Sequence, residues 1–165
     1  PHVNWGKREL KIDILNSANV TWNDINSFRE LHIHEAGKET RSEKSWFKQY
    51  EMVQANEAFV IFGKMNEELI SAGFFIHNST NCFYGASASR RDLFDKPIFH
   101  SIMWESIKHA KNIGCFWYDI GDLSFLCHSH EINTIPSKKD LGITEFPYNF
   151  SLIHNVSNFL FVSSI

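Results

Sequence analysis

Apolar and polar positions change rhythm several times along the chain, and each change predicts an element. Residues 7–15 (KRELKIDIL) are amphipathic in part and predict a short strand. From Asn23 to Ala36 the spacing becomes helical, with Thr21 or Asn23 as the cap and Gly37 as the end. A second helix is signalled by Ser42 at its start, with Trp46, Phe47, Tyr50 and Val53 on the side predicted to be buried. Two apolar runs, Glu57 to Phe62 and Leu69 to Ile76, flank the polar segment KMNEE and predict an antiparallel hairpin. A further turn, NSTN, leads into the strand CFYGASAS at 82–89.

The best-patterned stretch runs from Cys82 to Asp122. It reads as strand, basic loop, helix and strand, the layout of a right-handed crossover between parallel strands. The helix begins at Pro97, whose fixed φ suits a first helical position, and stops before Gly114. Phe99, Ile102, Met103, Ile107, Ala110 and Ile113 form its apolar stripe, and Ser101, Glu105, Lys108 and Asn112 take the opposite face. The second strand, CFWYDI, is apolar enough to predict cover on both sides. Beyond Asp122, LSFLCHSHEINTIPS predicts a long connection, followed by a short helix from Ser137 to Gly142. EFPYNFSLIHN and NFLFVSSI then predict two closing strands. The order implies an α/β sandwich in which helices flank a mixed β-sheet.

Composition narrows the class. At 165 residues the chain is expected to be one domain spanning 1–165, with 43% hydrophobic and 15% aromatic content to build its core. It begins at Pro1, without a methionine, so a piece of a longer protein is one expectation. A formal net charge of −3 weighs against a broad DNA-binding surface. The three cysteines (Cys82, Cys115, Cys127) have no metal-type spacing, and their odd number suggests a reducing compartment. No apolar run approaches the length of a membrane span and no segment reads as a signal peptide, so a cytoplasmic protein is the expectation.

The crossover loop, Arg90-Arg91-Asp92-Leu93-Phe94-Asp95-Lys96, is the first candidate site. Arg90, Arg91 and Lys96 stand just ahead of a helix N-terminus, where free N–H groups and the helix dipole favour a phosphate. The alternative is a solvated loop whose two aspartates neutralise its cations.

The residues also carry a resemblance. Tyr84–Ser87 (YGAS), the apolar crossover helix and Tyr118–Asp122 (YDIGD) resemble blocks of the C-terminal GNAT-like domain of FemA/FemB/FemX-type proteins. So does the segment from Lys139 to Phe146. Upstream, LHIHEAGKETRSEKSWFKQYEMV is similar to a stretch of the related single-domain acetyltransferases called BioF2-like. The likeness spans roughly residues 25 to 151 and implies a GNAT-like fold that moves an acyl group onto an amine. It implies acyl-CoA (acetyl-CoA) or aminoacyl-tRNA as donor, and an amino sugar or peptide of a cell-wall precursor as acceptor. Two departures are plain. RRDLFDKP stands where GNAT proteins carry Arg/Gln-x-x-Gly-x-Gly/Ala, and Pro147-Tyr148-Asn149-Phe150-Ser151 replaces Lys-x-x-Phe-Gly. A catalytically inactive module that binds a ligand or partner is therefore the alternative.

Amine acylation needs a neutral amine, a polarised carbonyl and a route for the proton. Asp119 and Asp122 are expected at the C-terminal end of the second crossover strand, where α/β sheets hold ligands. Asp119 is the candidate base or amine-orienting group, and Asp122 a substrate contact; a turn or capping aspartate beside Gly121 is the competing reading. Backbone N–H groups near Gly85 and Ser87 are candidates for the oxyanion. Tyr84 or Tyr118 could protonate the leaving group, unless each is a core aromatic with its hydroxyl tied off. Arg41, Ser42, Trp46 and Gln49 form a polar–aromatic cluster that could hold an acceptor carboxylate or phosphate. Ordinary capping with one core tryptophan is the other reading. The nine histidines include His32-x-His34 and His128-x-His130, but residues two apart share a face only on a strand, and no metal is expected.

Overall fold

The computed structural model describes residues 2–120 and 160–162. Helix α1 (His2–Glu9) precedes strand β1 (Lys11–Leu15), and helices α2 (Trp22–Ala36) and α3 (Glu43–Gln54) follow. Strands β2 (Ala58–Met65), β3 (Glu68–His77) and β4 (Asn81–Ser89) then form a meander. A 3₁₀ turn (Arg91–Leu93), helix α4 (Ile98–Asn112) and strand β5 (Trp117–Asp119) complete the crossover, and β6 (Leu160–Val162) closes the described chain. The strands make one mixed sheet in the order β1-β2-β3-β4-β5-β6, antiparallel through β4 and parallel from β4 to β6.

Two apolar layers hold this sheet. Phe59, Ile61, Phe75, Cys82 and Tyr118 pack under α4 against Ile102, Met103, Ile107 and Ala110. On the other face, Val60, Phe62, Phe74, Ala86 and Ala88 meet Ile25 and Phe28 of α2 and Trp46 and Val53 of α3. Each large side chain buried in this way stabilises the fold by about 1.5–3 kcal/mol. The caps expected from sequence are present. Thr21 and Asp24 form a reciprocal capping box at the start of α2, Gly37 ends α2 at φ 69, and the Ser42 hydroxyl accepts the Ser45 N–H.

Four expectations are corrected. Residues 2–9 are helical, so only Lys11–Leu15 of the 7–15 segment is strand. This short helix is held by α4: Ser101 Oγ donates to the Val3 carbonyl at 3.4 Å. Gly6 lies so close that a Cβ there would sit 1.7 Å from Ser101 Oγ. The same contact buries Ser101, which the helical pattern assigned to the solvent face. Phe47 is 44% exposed rather than buried, its ring edge-on to Trp22 at 5.3 Å. Among the described residues the β5 segment is covered on one face: Tyr118 is fully buried, whereas Trp117 is 41% exposed. Among the described residues no helix is long and apolar enough to cross a membrane.

Candidate functional site

Strand β4 builds the site by changing face midway. Phe75 pairs with Tyr84 and Phe74 with Ala86, which leaves Gly85 as an extra residue, a β-bulge. Before the bulge, Cys82 packs in the α4 layer with Tyr84 against it; after it, Ala86 and Ala88 belong to the α2/α3 layer. The bulge therefore turns Ser87 and Ser89 toward the side Tyr84 occupies. Tyr84 Oη lies 2.5 Å from Ser87 Oγ, and Ser89 Oγ lies 2.7 Å from Ser71 Oγ. A Cβ on Gly85 would press on the Phe74 ring at 3.1 Å and the Phe74 carbonyl oxygen at 3.3 Å. Glycine is the residue that fits.

Among the described residues, the edge facing β5 is open from the same place. Asn81, Cys82 and Phe83 pair with Trp117, Tyr118 and Asp119, the last pair among the described residues. From Tyr84 to Ser89 the described pairs of the strand are with β3. Beyond Ser89 the chain enters the 3₁₀ turn and then α4, whose N-terminus has no side-chain cap. Tyr84, Gly85, Ser87, Arg90, Arg91 and Lys96 are thus strung along one open edge and the loop that continues it.

Within the loop the cations differ. Arg90 is engaged by Glu68 at 2.5 Å, and its Nε donates to Asp92 at 2.9 Å. Its guanidinium is held above its ordinary pKa chiefly by the Asp92 hydrogen bond, and the same contact lowers Asp92. Arg91 and Lys96 make no ion pair among the described residues. The Arg90 N–H donates to the Ile70 carbonyl at 2.9 Å, and the Arg91 N–H donates to Glu35 Oε2 at 2.9 Å.

The two tyrosines part company. Tyr118 Oη is bonded to Ser106 Oγ and packed on Met103 Sδ inside the α4 layer, and burial raises its pKa well above the ordinary value. Tyr84 sits at the open edge between Phe75 and Phe99. Burial raises its pKa too, opposed by the Ser87 hydrogen bond. Asp119, as the partner of Phe83 next to buried Tyr118, lies on the opposite face of the pleat from both tyrosines.

On the α2/α3 side, Trp46 is buried against Phe28 and His32, with the Arg41 guanidinium 5.9 Å from its ring centre. His32 has its pKa lowered by burial first and then by the charge of Arg41. Gln49, one turn further along α3, has a buried Oε1 without a hydrogen-bond partner among the described residues, as has Arg29 Nε. Arg41 and Trp46 are therefore together beside His32, about one turn of α2 before Glu35, whose carboxylate accepts the Arg91 N–H. Asp122, His128, His130, Cys127 and the segment 139–151 lie outside the described residues. Among the described residues no three His, Cys, Asp or Glu side chains are grouped to hold a metal ion.

Sequence reasoning missed Glu35. A carboxylate in the last turn of a helix opposes the helix dipole, and that misfit was the available signal of a partner elsewhere.

No family model matches the chain, and no curated protein matches it. Solved structures do. An aminoglycoside acetyltransferase from an uncultured soil metagenomic sample, solved with sisomicin, aligns at a TM-score of 0.63 and 10% identity, over 96% of this chain and 98% of that one. AAC(6')-Iy, solved with the bisubstrate analog CoA-S-monomethyl-acetylneamine, aligns at 0.59 and 10% identity over 94% and 98%. A GNAT family acetyltransferase of Staphylococcus aureus aligns at 0.54 and 10% identity over 79% and 98%. The likeness is one of architecture: the chain has the fold of the GNAT acetyltransferases.

Proposed function

We propose that the chain is an N-acyltransferase that passes an acyl group from acetyl-CoA or a related thioester to an amine. The observation that carries this reading is that, among the described residues, β4 pairs with β5 only as far as Phe83, beside the bulge at Gly85. Among the described residues, none pairs with the N–H and C=O groups of Tyr84–Ser89 on the β5 side, and such an edge would suit the amide-bearing arm of an acyl thioester. In this scheme the amine nitrogen attacks the thioester carbonyl carbon, the carbon–sulfur bond breaks, and the thiolate takes a proton. The Gly85–Ser87 N–H groups would stabilise the oxyanion. Tyr84, a phenol whose pKa burial raises, would supply the proton to sulfur. Asp119 would take the amine's proton through water from the other face. Arg91 and Lys96 would meet the phosphates. Tyr118 would serve the core.

For the acceptor, the resemblance to FemA/FemB/FemX-type proteins favours an amine on a cell-wall precursor, an amino sugar or a peptide. Two of the solved neighbours are aminoglycoside enzymes or complexes, which also favours an amino-sugar amine. Arg41 and Gln49 would line that side, with the Arg41 guanidinium over the buried Trp46 ring. Aminoacyl-tRNA is the donor that would replace acetyl-CoA if no thioester binds, and the cytoplasm is the compartment that fits either donor.

A second reading rests on Arg90, which is already neutralised by Glu68 and Asp92 in a loop without glycines. It is that of a catalytically inactive module that binds a ligand or partner. A thermal-shift titration with acetyl-CoA tests the first reading. Ligand at 100 times its dissociation constant adds about 2.7 kcal/mol, which raises the melting temperature of a domain this size by roughly 5–10 °C. No shift at millimolar acetyl-CoA would sink the thioester reading. If acetyl-CoA binds, Asp119→Asn separates enzyme from module: an enzyme loses at least about 100-fold in turnover with unchanged melting, and a module has none to lose.

A further inference from the structure

Glu35 is set against the electrostatics of its own helix. It is the penultimate residue of α2, where outward carbonyls present negative charge and a carboxylate is disfavoured. Its side chain is nevertheless only 11% exposed, and both oxygens are occupied. Oε1 accepts from Nδ1 of the solvent-facing His34 at 2.9 Å, and Oε2 accepts the backbone N–H of Arg91 at 2.9 Å. The second bond joins positions 56 residues apart.

We propose that Glu35 is a positioning residue for the acyl donor: it fastens the Arg91 amide, and with it the start of the 3₁₀ turn, to the end of α2. Arg91 and Lys96 are thereby presented at the open edge of β4. The inference rests on the reading of the 90–96 loop as the donor's phosphate side. The loop needs such a fastening. It places two arginines side by side, and a flexible cationic loop must lose its freedom when it closes on a phosphate. Helix α2 is a suitable post, because Ile25 and Phe28 anchor it in the core and it lies along β4. The Glu35 charge is shared between His34 and the Arg91 amide, which reduces its repulsion of an arriving phosphate.

Three variants test this by calorimetric titration with acetyl-CoA and by steady-state kinetics with a fixed amine. In Glu35→Ala the dissociation constant and donor KM are expected to rise about tenfold, the loss of one charge-assisted hydrogen bond. Glu35→Gln keeps a carbonyl oxygen for the Arg91 N–H and is expected to stay within about twofold of wild type. Acceptor KM should not move in either. Glu35→Asp keeps the charge but falls short of the amide, so it should match the alanine variant, and it serves if that variant does not fold. Wild-type affinity in both the Ala and Asp variants overturns the proposal. Tighter binding in Ala and Gln also overturns it, because Glu35 would then be a competitor of the phosphate. An equal loss in Gln and Ala does the same by removing the hydrogen bond as the cause. If wild type binds no acetyl-CoA, the donor reading falls and this inference with it; if wild type binds and the variants do not differ, only this inference falls.

Discussion

The two ends of β4 are made from the same strand and behave as different materials. At the closed end, Asn81–Phe83 are paired on both edges, and Cys82 packs in one core with Tyr118 and Phe59. At the open end, Tyr84–Ser89 are paired on one edge among the described residues and carry hydroxyls on the Tyr84 side. One inserted residue, Gly85, separates them by rotating the pleat. A mixed sheet can thus keep a dry core and a polar edge within nine residues. Tyr118 and Tyr84 show the contrast at the level of single groups: one hydroxyl is spent inside the core, and the other is shared with Ser87 at the edge.

That contrast can be broken by substitution, most severely at the closed end. Tyr118→Ala removes a fully buried ring and should cost about 3–5 kcal/mol in chemical denaturation. A loss below about 1 kcal/mol would mean that Tyr118 is not part of the core. Next, Tyr84→Phe should lower turnover by about 100-fold or more. Its unfolding free energy should fall by no more than about 1 kcal/mol, because the ring stays and Ser87 can turn to water. If stability collapses and turnover survives, the two ends have been assigned the wrong way round. Tyr118→Phe should cost about 1 kcal/mol, since Ser106 keeps its bond to the Met103 carbonyl at 2.7 Å.

The smallest effect concerns acid. His77 and His109 flank the Phe59 ring at the closed end, and burial lowers the pKa of each below the ordinary 6.5. The unfolded chain therefore takes up these protons more readily than the folded one. The stability linked to the pair is complete above pH about 6.5 and declines as the pH falls toward the depressed folded values. Melting curves between pH 7.5 and 5 should show this decline, with a shallower slope in His109→Gln. An identical slope in the variant would remove His109 from the account.

Much of the frame was legible because it depends on short-range pattern. Thr21 and Ser42 as caps, Gly37 as a helix end, the β2–β3 hairpin and the α4 crossover follow from positions a few residues apart. Periodicity failed where a distant element supplied the reason. An eight-residue helix is marginal alone, and α1 exists because Gly6 lets it lie on Ser101, 95 positions away. Trp117 reads as core by composition, yet it faces outward because the pleat gives its neighbour Tyr118 the α4 layer.

The candidate site divides in the same way. Alternation along CFYGASAS determined that a strand would carry Tyr84, Ser87 and Ser89, and the cations before Pro97 determined a charged loop ahead of a helix. Only the tertiary structure decided which groups face the gap. The bulge at Gly85 appears only when β4 is laid against β3. The neutralisation of Arg90 by Glu68 and the hold of Glu35 on the Arg91 amide join residues 22 and 56 positions apart. Local sequence sets backbone propensity and face. Which charges meet depends on how the elements pack, and packing is a property of the whole chain.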